Sequence, residues 1–125
     1  MGQGYSGLKV YQLAFKLALE VHELTKSLPR AESFELGSQV RRSSKSISVN
    51  IAEGYGRKRY EKDFIRFLIN AIGSTDETRV HLDFAQSLGY LSEEKHQYFD
   101  SQYKIVGKQL SKLISTLDSK NLEKI

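Results

Sequence analysis

The chain has 125 residues, with 19 Lys and Arg against 15 Asp and Glu, and a formal net charge of +4. That length predicts a single domain, residues 1–125, with a core large enough to need no metal or disulfide staple. The lack of cysteine excludes disulfide scaffolds, thiolate metal sites and cysteine nucleophiles. No apolar run approaches the ~18 residues that span a bilayer, and Met1 to Ser6 does not read as a signal peptide. The expected address is therefore the cytoplasm, with no membrane partner.

Pro29 is the one proline, and glycine and asparagine punctuation is sparse, which predicts long helices joined by short connections. The first helix is expected over about 8–28. Tyr11, Phe15 or Ala14, Ala18, Val21 and Thr25 recur at the helical period, and Leu13, Leu17 and Leu24 widen the stripe to two faces. Pro29 ends it, because proline lacks the amide donor and disfavours helix just before it. A second helix, about 34–54, carries Leu36, Val40, Ser43 or Ser44, Ile47, Ile51 and Gly54 on one stripe. Its serines 43, 44, 46 and 48 are mediocre helix formers whose small size permits close helix approach. Gly54 or Gly56 is expected to close it in the left-handed conformation.

The third helix, about 61–88, has the longest stripe: Phe64, Phe67, Leu68, Ala71, Ile72, Thr75, Thr78, Leu82 and Ala85. Gly73 in its middle costs about 1 kcal/mol against alanine, and close contact with a neighbouring helix is the expected reason. Gly89 supplies the stop. The fourth helix, about 92–117, opens on Ser92 as N-cap with Glu93 and Glu94 at the positive end of the dipole. It runs through Phe99, Gln102, Ile105 or Val106, Gln109 or Leu110, Leu113 and Leu117, with Lys104, Lys108 and Lys112 on its outer face. Residues 118–125 are expected to fray. Together these elements predict an all-α, up-and-down antiparallel four-helix bundle.

The excess charge is local. Residues 41–62 hold seven basic side chains (Arg41, Arg42, Lys45, Arg57, Lys58, Arg59, Lys62) and two acidic ones (Glu53, Glu61), a net +5. Such a run serves either as a solubilising surface or as a polyanion footprint. Catalytic patterns are missing. The single Glu-x-x-His, Glu93 to His96, lacks the second copy of a di-iron bundle, and Glu77 with His81 offers only two ligands. There is no Gly-x-Ser-x-Gly elbow, and Gly54-Tyr55-Gly56-Arg57 lacks the ending of a phosphate loop. No enzyme, cofactor or metal site is expected. Ser46, Asn50 and Glu53 share one face of the second helix, and Ser74 and Glu77 one face of the third. A Ser/Asn/Glu network there either fixes helix register or contacts a ligand or subunit.

One phrase goes further. Ser46-Ile47-Ser48-Val49-Asn50-Ile51-Ala52-Glu53-Gly54-Tyr55-Gly56-Arg57, followed by Phe64-Ile65-Arg66-Phe67-Leu68 and Ala71-Ile72-Gly73-Ser74-Thr75-Asp76-Glu77, resembles the four-helix bundle protein family, also called the 23S rRNA intervening-sequence proteins. The resemblance implies the same bundle fold, assembly into homo-oligomeric rings, commonly pentamers, and no established activity. The accessory proteins of diversity-generating retroelements look similar; they use a basic pentamer to bind a reverse transcriptase and nucleic acid. Asn50, Glu53, Gly54, Gly56, Arg57, Gly73, Ser74 and Glu77 match the family phrase, and Asn50 with Ser74 and Glu53 with Arg57 are the implied helix-fixing pairs.

These readings converge on a non-enzymatic homo-oligomer that binds RNA, DNA or a nucleoprotein with low sequence selectivity. Arg41, Arg42, Lys45, Arg57, Lys58 and Arg59 are the expected phosphate contacts, with Tyr55 and Tyr60 available to stack on bases. The alternative is an oligomeric scaffold that holds a protein partner and has no nucleic-acid affinity. Its motive is that the apolar stripes of the first and third helices are wider than one small bundle needs.

Overall fold

A computed structural model describes residues 4–123, with side chains over 4–118. After a short 3-10 turn, Gly4–Gly7, helix α1 spans Lys9–Thr25. Helix α2 is one continuous helical run built from Arg30–Glu32, a wider π-type turn Ser33–Gly37, and the long segment Ser38–Gly56. Helix α3 is Glu61–Ser87 and helix α4 is Glu93–Glu123. Among the described residues there is no strand, and no helix is long and apolar enough to cross a membrane. The result is an all-α four-helix bundle.

The helix ends follow local chemistry. α1 stops three residues short of expectation, at Thr25, whose hydroxyl donates to the His22 carbonyl at 2.7 Å. Pro29 starts the next run rather than only ending the last, since its fixed φ suits a first helical turn; α2 therefore begins at Arg30. α3 ends in a Schellman arrangement. Gly89 takes φ +85, its amide bonds the Gln86 carbonyl at 3.0 Å, and the Tyr90 amide bonds the Ala85 carbonyl at 2.8 Å. Ser92 caps α4 through its hydroxyl, which accepts from the Lys95 amide at 3.1 Å.

Two end-point expectations are corrected. Gly54 and Gly56 are both right-handed helical, so neither closes α2 by a left-handed turn; that end is made by Arg57 at φ −109, ψ 21. Residues 118–123 continue α4 instead of fraying, because neither Gly nor Pro interrupts them; residues 124–125 lie outside the described residues.

The core runs the length of the bundle. Leu17 and Val21 of α1, Ile47 and Ile51 of α2, Leu68 of α3, and Tyr103, Val106 and Leu110 of α4 are fully enclosed. Each such aliphatic side chain contributes about 1.5–3 kcal/mol. On α1 the buried line passes through Ala14, leaving Phe15 47% exposed. Of the four seams between adjacent helices, α2–α3 is the most extensive and α1–α4 the slightest. That last seam is held in part by the Tyr98 hydroxyl, which donates to Glu20 at 2.7 Å. Burial pushes the Tyr103 phenol well above its ordinary pKa, and its hydroxyl has no hydrogen-bond partner among the described residues.

Candidate nucleic-acid interface

The turn between α2 and α3 is tight, with the Arg57 amide on the Gly54 carbonyl at 2.9 Å and the Tyr60 amide on the Arg57 carbonyl at 2.8 Å. It sets three consecutive cations, Arg57, Lys58 and Arg59, on the surface. Aromatic rings steady two of them. The Arg57 guanidinium lies 4.7 Å from the Phe67 ring centroid and donates to the Glu53 backbone carbonyl at 3.2 Å. Lys58 sits 4.3 Å over the Tyr55 ring and donates to its hydroxyl at 2.9 Å. Arg66 stacks on the same Phe67 ring at 4.6 Å, with Asp63 at 3.7 Å. No ion pair joins Arg57, Lys58 or Arg59 to a carboxylate among the described residues. Tyr60 beside them is 63% exposed, whereas Tyr55 is half-buried with its ring edge-on to Phe64. Sequence reasoning read Phe67 only as core; its second role as a platform for two guanidiniums depends on the turn that folds Arg57 back onto it.

Arg41, Arg42 and Lys45 do not join this group. Lys45 lies twelve residues before Arg57, about 18 Å along the helix axis. Arg42 and Lys45 point to solvent without ion pairs among the described residues. Arg41 turns inward. Its guanidinium donates to the Thr25 hydroxyl at 2.9 Å and the Ser33 carbonyl at 3.0 Å, tying the end of α1 to the π-type turn. The net +5 stretch is thus two separate exposed basic areas and one internal tether.

The polar constellation resolves into a hydroxyl seam between α2 and α3. Ser46 and Ser74 hydroxyls meet at 2.9 Å, and Ser43 meets the Thr78 hydroxyl at 2.8 Å. Asn50 donates to the Ser46 carbonyl at 2.9 Å and hydroxyl at 3.0 Å, so it reaches Ser74 only through Ser46. Neither glutamate takes part. Glu53 is exposed and meets Arg57 through its backbone carbonyl, not its carboxylate. Glu77 is exposed and accepts from His81 at 3.1 Å. At the C-terminal end of the seam Gly54 presses on α3: a Cβ there would stand 2.9 Å from the Phe67 Cβ and 3.3 Å from the Phe64 carbonyl. Gly56 and Gly73 differ, for a Cβ on either meets nothing within 4 Å. The expected close neighbour of Gly73 is therefore not found among the described residues.

A second charged cluster joins α3 to α4. Arg79 donates to Asp100 at 2.9 Å, Lys104 lies 3.3 Å from the same carboxylate, and His96 bonds Asp83 at 2.7 Å. The Arg79 hydrogen bond, with help from Lys104 and against the cost of burial, holds the Asp100 carboxyl below its ordinary pKa. Donor atoms of Asp83, His96 and Asp100 lie within 4.8 Å of one another, so a cation could be accommodated there. Arg79 and Lys104 already neutralise Asp100, however, and the cluster works as an ion-pair bridge between helices. Sequence spacing missed it because its members come from two helices.

Comparison with known proteins agrees with this architecture. No curated protein matches the chain. A crystal structure of a protein of unknown function from the S23 ribosomal protein family of Bacteroides thetaiotaomicron superposes with a TM-score of 0.77 at 25% identity, covering 84% of this chain and 97% of that one. The family model for the 23S rRNA-intervening sequence protein matches residues 6–112. With the fold, the seam and the phrase at residues 46–77 all accounted for, the chain belongs to the 23S rRNA-intervening sequence protein family.

Proposed function

We propose that this protein is a non-enzymatic homo-oligomer that binds RNA, or a nucleoprotein, through the exposed cations of the α2–α3 turn. One observation carries the reading: Arg57, Lys58 and Arg59 form a run of cations without carboxylate partners, two of them held over aromatic rings. Charge that no internal carboxylate neutralises is available to phosphate, and its aromatic support lowers the side-chain entropy lost on binding. Tyr60, exposed beside the cations, offers a stacking face for an unpaired base. Nothing there presents a fixed donor–acceptor code, so sequence selectivity is low. Arg42 and Lys45 supply a second contact further along α2.

Fluorescence anisotropy with a single-stranded RNA across a salt series tests this. Binding weakens steeply with salt, and changing Arg57, Lys58 and Arg59 together to Ala removes about two units of the log–log salt slope, at roughly 0.7 per phosphate contact on single strands. Absence of binding at low salt, or an unchanged slope in the triple variant, overturns the reading. Self-association without any nucleic-acid affinity is the outcome that favours a protein-binding scaffold instead.

A further inference from the structure

Between α1 and α2 lies a groove of about 610 Å³, walled by Tyr11, Phe15, Leu19, Val49 and Ala52. That volume suits a small organic group, since ligand clefts run to about 300–1,000 Å³. The polar groups on the groove are few, and they are ordered along it. α1 and α2 run antiparallel, so His22 and Lys45 stand together at one end and Tyr11 and Glu53 at the other. Ser48 lies between them. Its residue is only 7% exposed, and its hydroxyl has no hydrogen-bond partner among the described residues. A buried hydroxyl without a partner is unfavourable, and an occupant of the groove would relieve it. Neither Lys45 nor Glu53 forms an ion pair among the described residues.

This order of groups selects the occupant. Lys45 and Glu53 are eight residues apart, about 12 Å along the helix. A group that spans the groove therefore carries an anion at one end and a hydrogen-bond donor at the other. Between them it needs a hydroxyl near Ser48 and a flat apolar part against the exposed Phe15. Tyr5, Tyr11 and Phe15 stand in a row, with ring centroids 5.0 and 5.9 Å apart, and give that part an aromatic wall. A nucleotide has these parts in this order: phosphate, ribose, base. A long-chain carboxylate would satisfy Lys45 but would end its tail at the Glu53 carboxylate. Because Glu53 can only accept, the base that suits it carries an amino group, as cytosine does; uracil presents a carbonyl in the same place.

The groove also adjoins the cationic turn. Tyr55, whose hydroxyl accepts from Lys58, lies against the N-terminal segment: a Cβ on Gly4, next to Tyr5 of the groove, would stand 4.0 Å from the Tyr55 ring. A strand held at Arg57, Lys58 and Arg59 therefore has the groove within reach, and at that effective concentration even a weak pocket fills.

We infer that the α1–α2 groove receives one unpaired, amino-bearing nucleotide of an RNA strand. Its phosphate lies at Lys45 and His22, its 2′-hydroxyl at Ser48, and its base on Phe15 and Tyr11 with the amino group donating to Glu53. The inference rests on the RNA-binding reading above and adds to it discrimination at one position, which the turn alone does not make.

Fluorescence anisotropy at low salt and neutral pH, with oligocytidine, oligouridine and oligodeoxycytidine of equal length, tests it. The unaltered chain binds oligocytidine at least about fivefold more tightly than oligouridine, the low end for a base contact. Glu53→Ala brings that ratio to about one without weakening oligouridine. Phe15→Ala weakens oligocytidine by about fivefold or more yet keeps the salt slope, since no phosphate contact is lost. Ser48→Ala weakens oligocytidine and leaves oligodeoxycytidine unchanged. Equal affinity of the unaltered chain for oligocytidine and oligouridine overturns the inference, as does a preference that survives Glu53→Ala. Full binding by Phe15→Ala overturns it too; should that variant lose its helical circular dichroism, the solvent-facing Glu53→Ala decides alone. Loss of oligodeoxycytidine binding in step with oligocytidine in Ser48→Ala removes the ribose contact. A cytidine preference that persists, with an unchanged salt slope, after Arg57, Lys58 and Arg59 all become Ala sinks only the turn as phosphate site. Strands bound equally, with the slope lowered in that triple variant, sink only the groove, and no binding of any strand sinks both.

Discussion

Replacing Gly54 and Gly73 by alanine applies one chemical change to two helical glycines, one in the last turn of α2 and one in the middle of α3, and should move stability in opposite directions. At Gly54 the new methyl stands 2.9 Å from the Phe67 Cβ and 3.1 Å from the Phe64 Cδ1, where carbon atoms settle at about 3.5–4.0 Å. The Phe67 Cβ and the Phe64 carbonyl are fixed to the α3 backbone, so α3 must withdraw by about 0.5–1 Å, opening the hydroxyl seam along with it. Overpacking of this kind costs about 1–3 kcal/mol. Alanine returns about 1 kcal/mol of helix propensity, leaving a net loss of about 1 kcal/mol at the middle of that range. At Gly73 there is no contact to set against the propensity gain, and Gly73→Ala should stabilise the single bundle by about 0.5–1 kcal/mol. Urea unfolding followed by circular dichroism reads both. The two variants should then differ by about 2 kcal/mol, which shifts the thermal midpoint by several degrees per kcal/mol. A Gly54→Ala protein that gains as much stability as Gly73→Ala would refute the close approach at residue 54. A Gly73→Ala protein less stable than its parent would refute the open space at residue 73.

Three further outcomes follow from individual contacts. Thr78→Val removes the partner 2.8 Å from the buried Ser43 hydroxyl and should cost about 1 kcal/mol; in a double-mutant cycle with Ser43→Ala the coupling should be about 0.5–1 kcal/mol, and strict additivity would deny the bond any energetic weight. Arg41→Gln should lower stability by about 1–2 kcal/mol, since it unties Thr25 from the Ser33 carbonyl, yet leave the salt slope of RNA binding unchanged; a smaller slope with full stability would return Arg41 to the phosphate contacts. For Asp100 the folded pKa lies below its ordinary 3.8, because Arg79 and then Lys104 favour the carboxylate. Its contribution is therefore complete above pH 3.8 and is lost as the pH falls through the lower folded value. Asp100→Asn should lie about 1 kcal/mol below the parent at neutral pH, with the gap closing in acid; a gap independent of pH would contradict the pairing.

What could be read from the sequence, and what could not, divides by whether one helix or two decide the matter. On α3 a single period of 3.6 residues settles which side turns inward. Phe64, Leu68, Ala71, Thr75, Thr78, Leu82 and Ala85 are all buried as the stripe requires, with Phe67 and Ile72 at its half-buried margins. The stop at Gly89 is equally local, since a positive φ and two backbone bonds need nothing from elsewhere. On α1 the same periodicity allows Phe15 or Ala14, and only the neighbouring helix selects between them: Ala14 lets α1 lie close to the bundle, and Phe15 is left at the groove. The candidate site suffers most, because charge counted along a chain ignores the direction in which each side chain leaves the helix. Arg41 and Arg42 are adjacent in sequence, yet one is a tether and the other is in solvent.

The glycines carry the same argument to its limit. In a sequence, glycine advertises either unusual backbone freedom or the absence of a side chain, and it does not say which. Gly89 uses the freedom and Gly54 uses the absence, against Phe64 and Phe67 of its own chain. Gly73 does neither within one copy: it is helical, with φ below zero, and surrounded by open space. A residue of poor helix propensity at the middle of a 27-residue helix, between exposed Ile69 and Val80, is a local conflict inside an otherwise consistent bundle. Such a conflict calls for a contact outside the single bundle, which the proposed homo-oligomer would supply to the open face of α3 around Gly73.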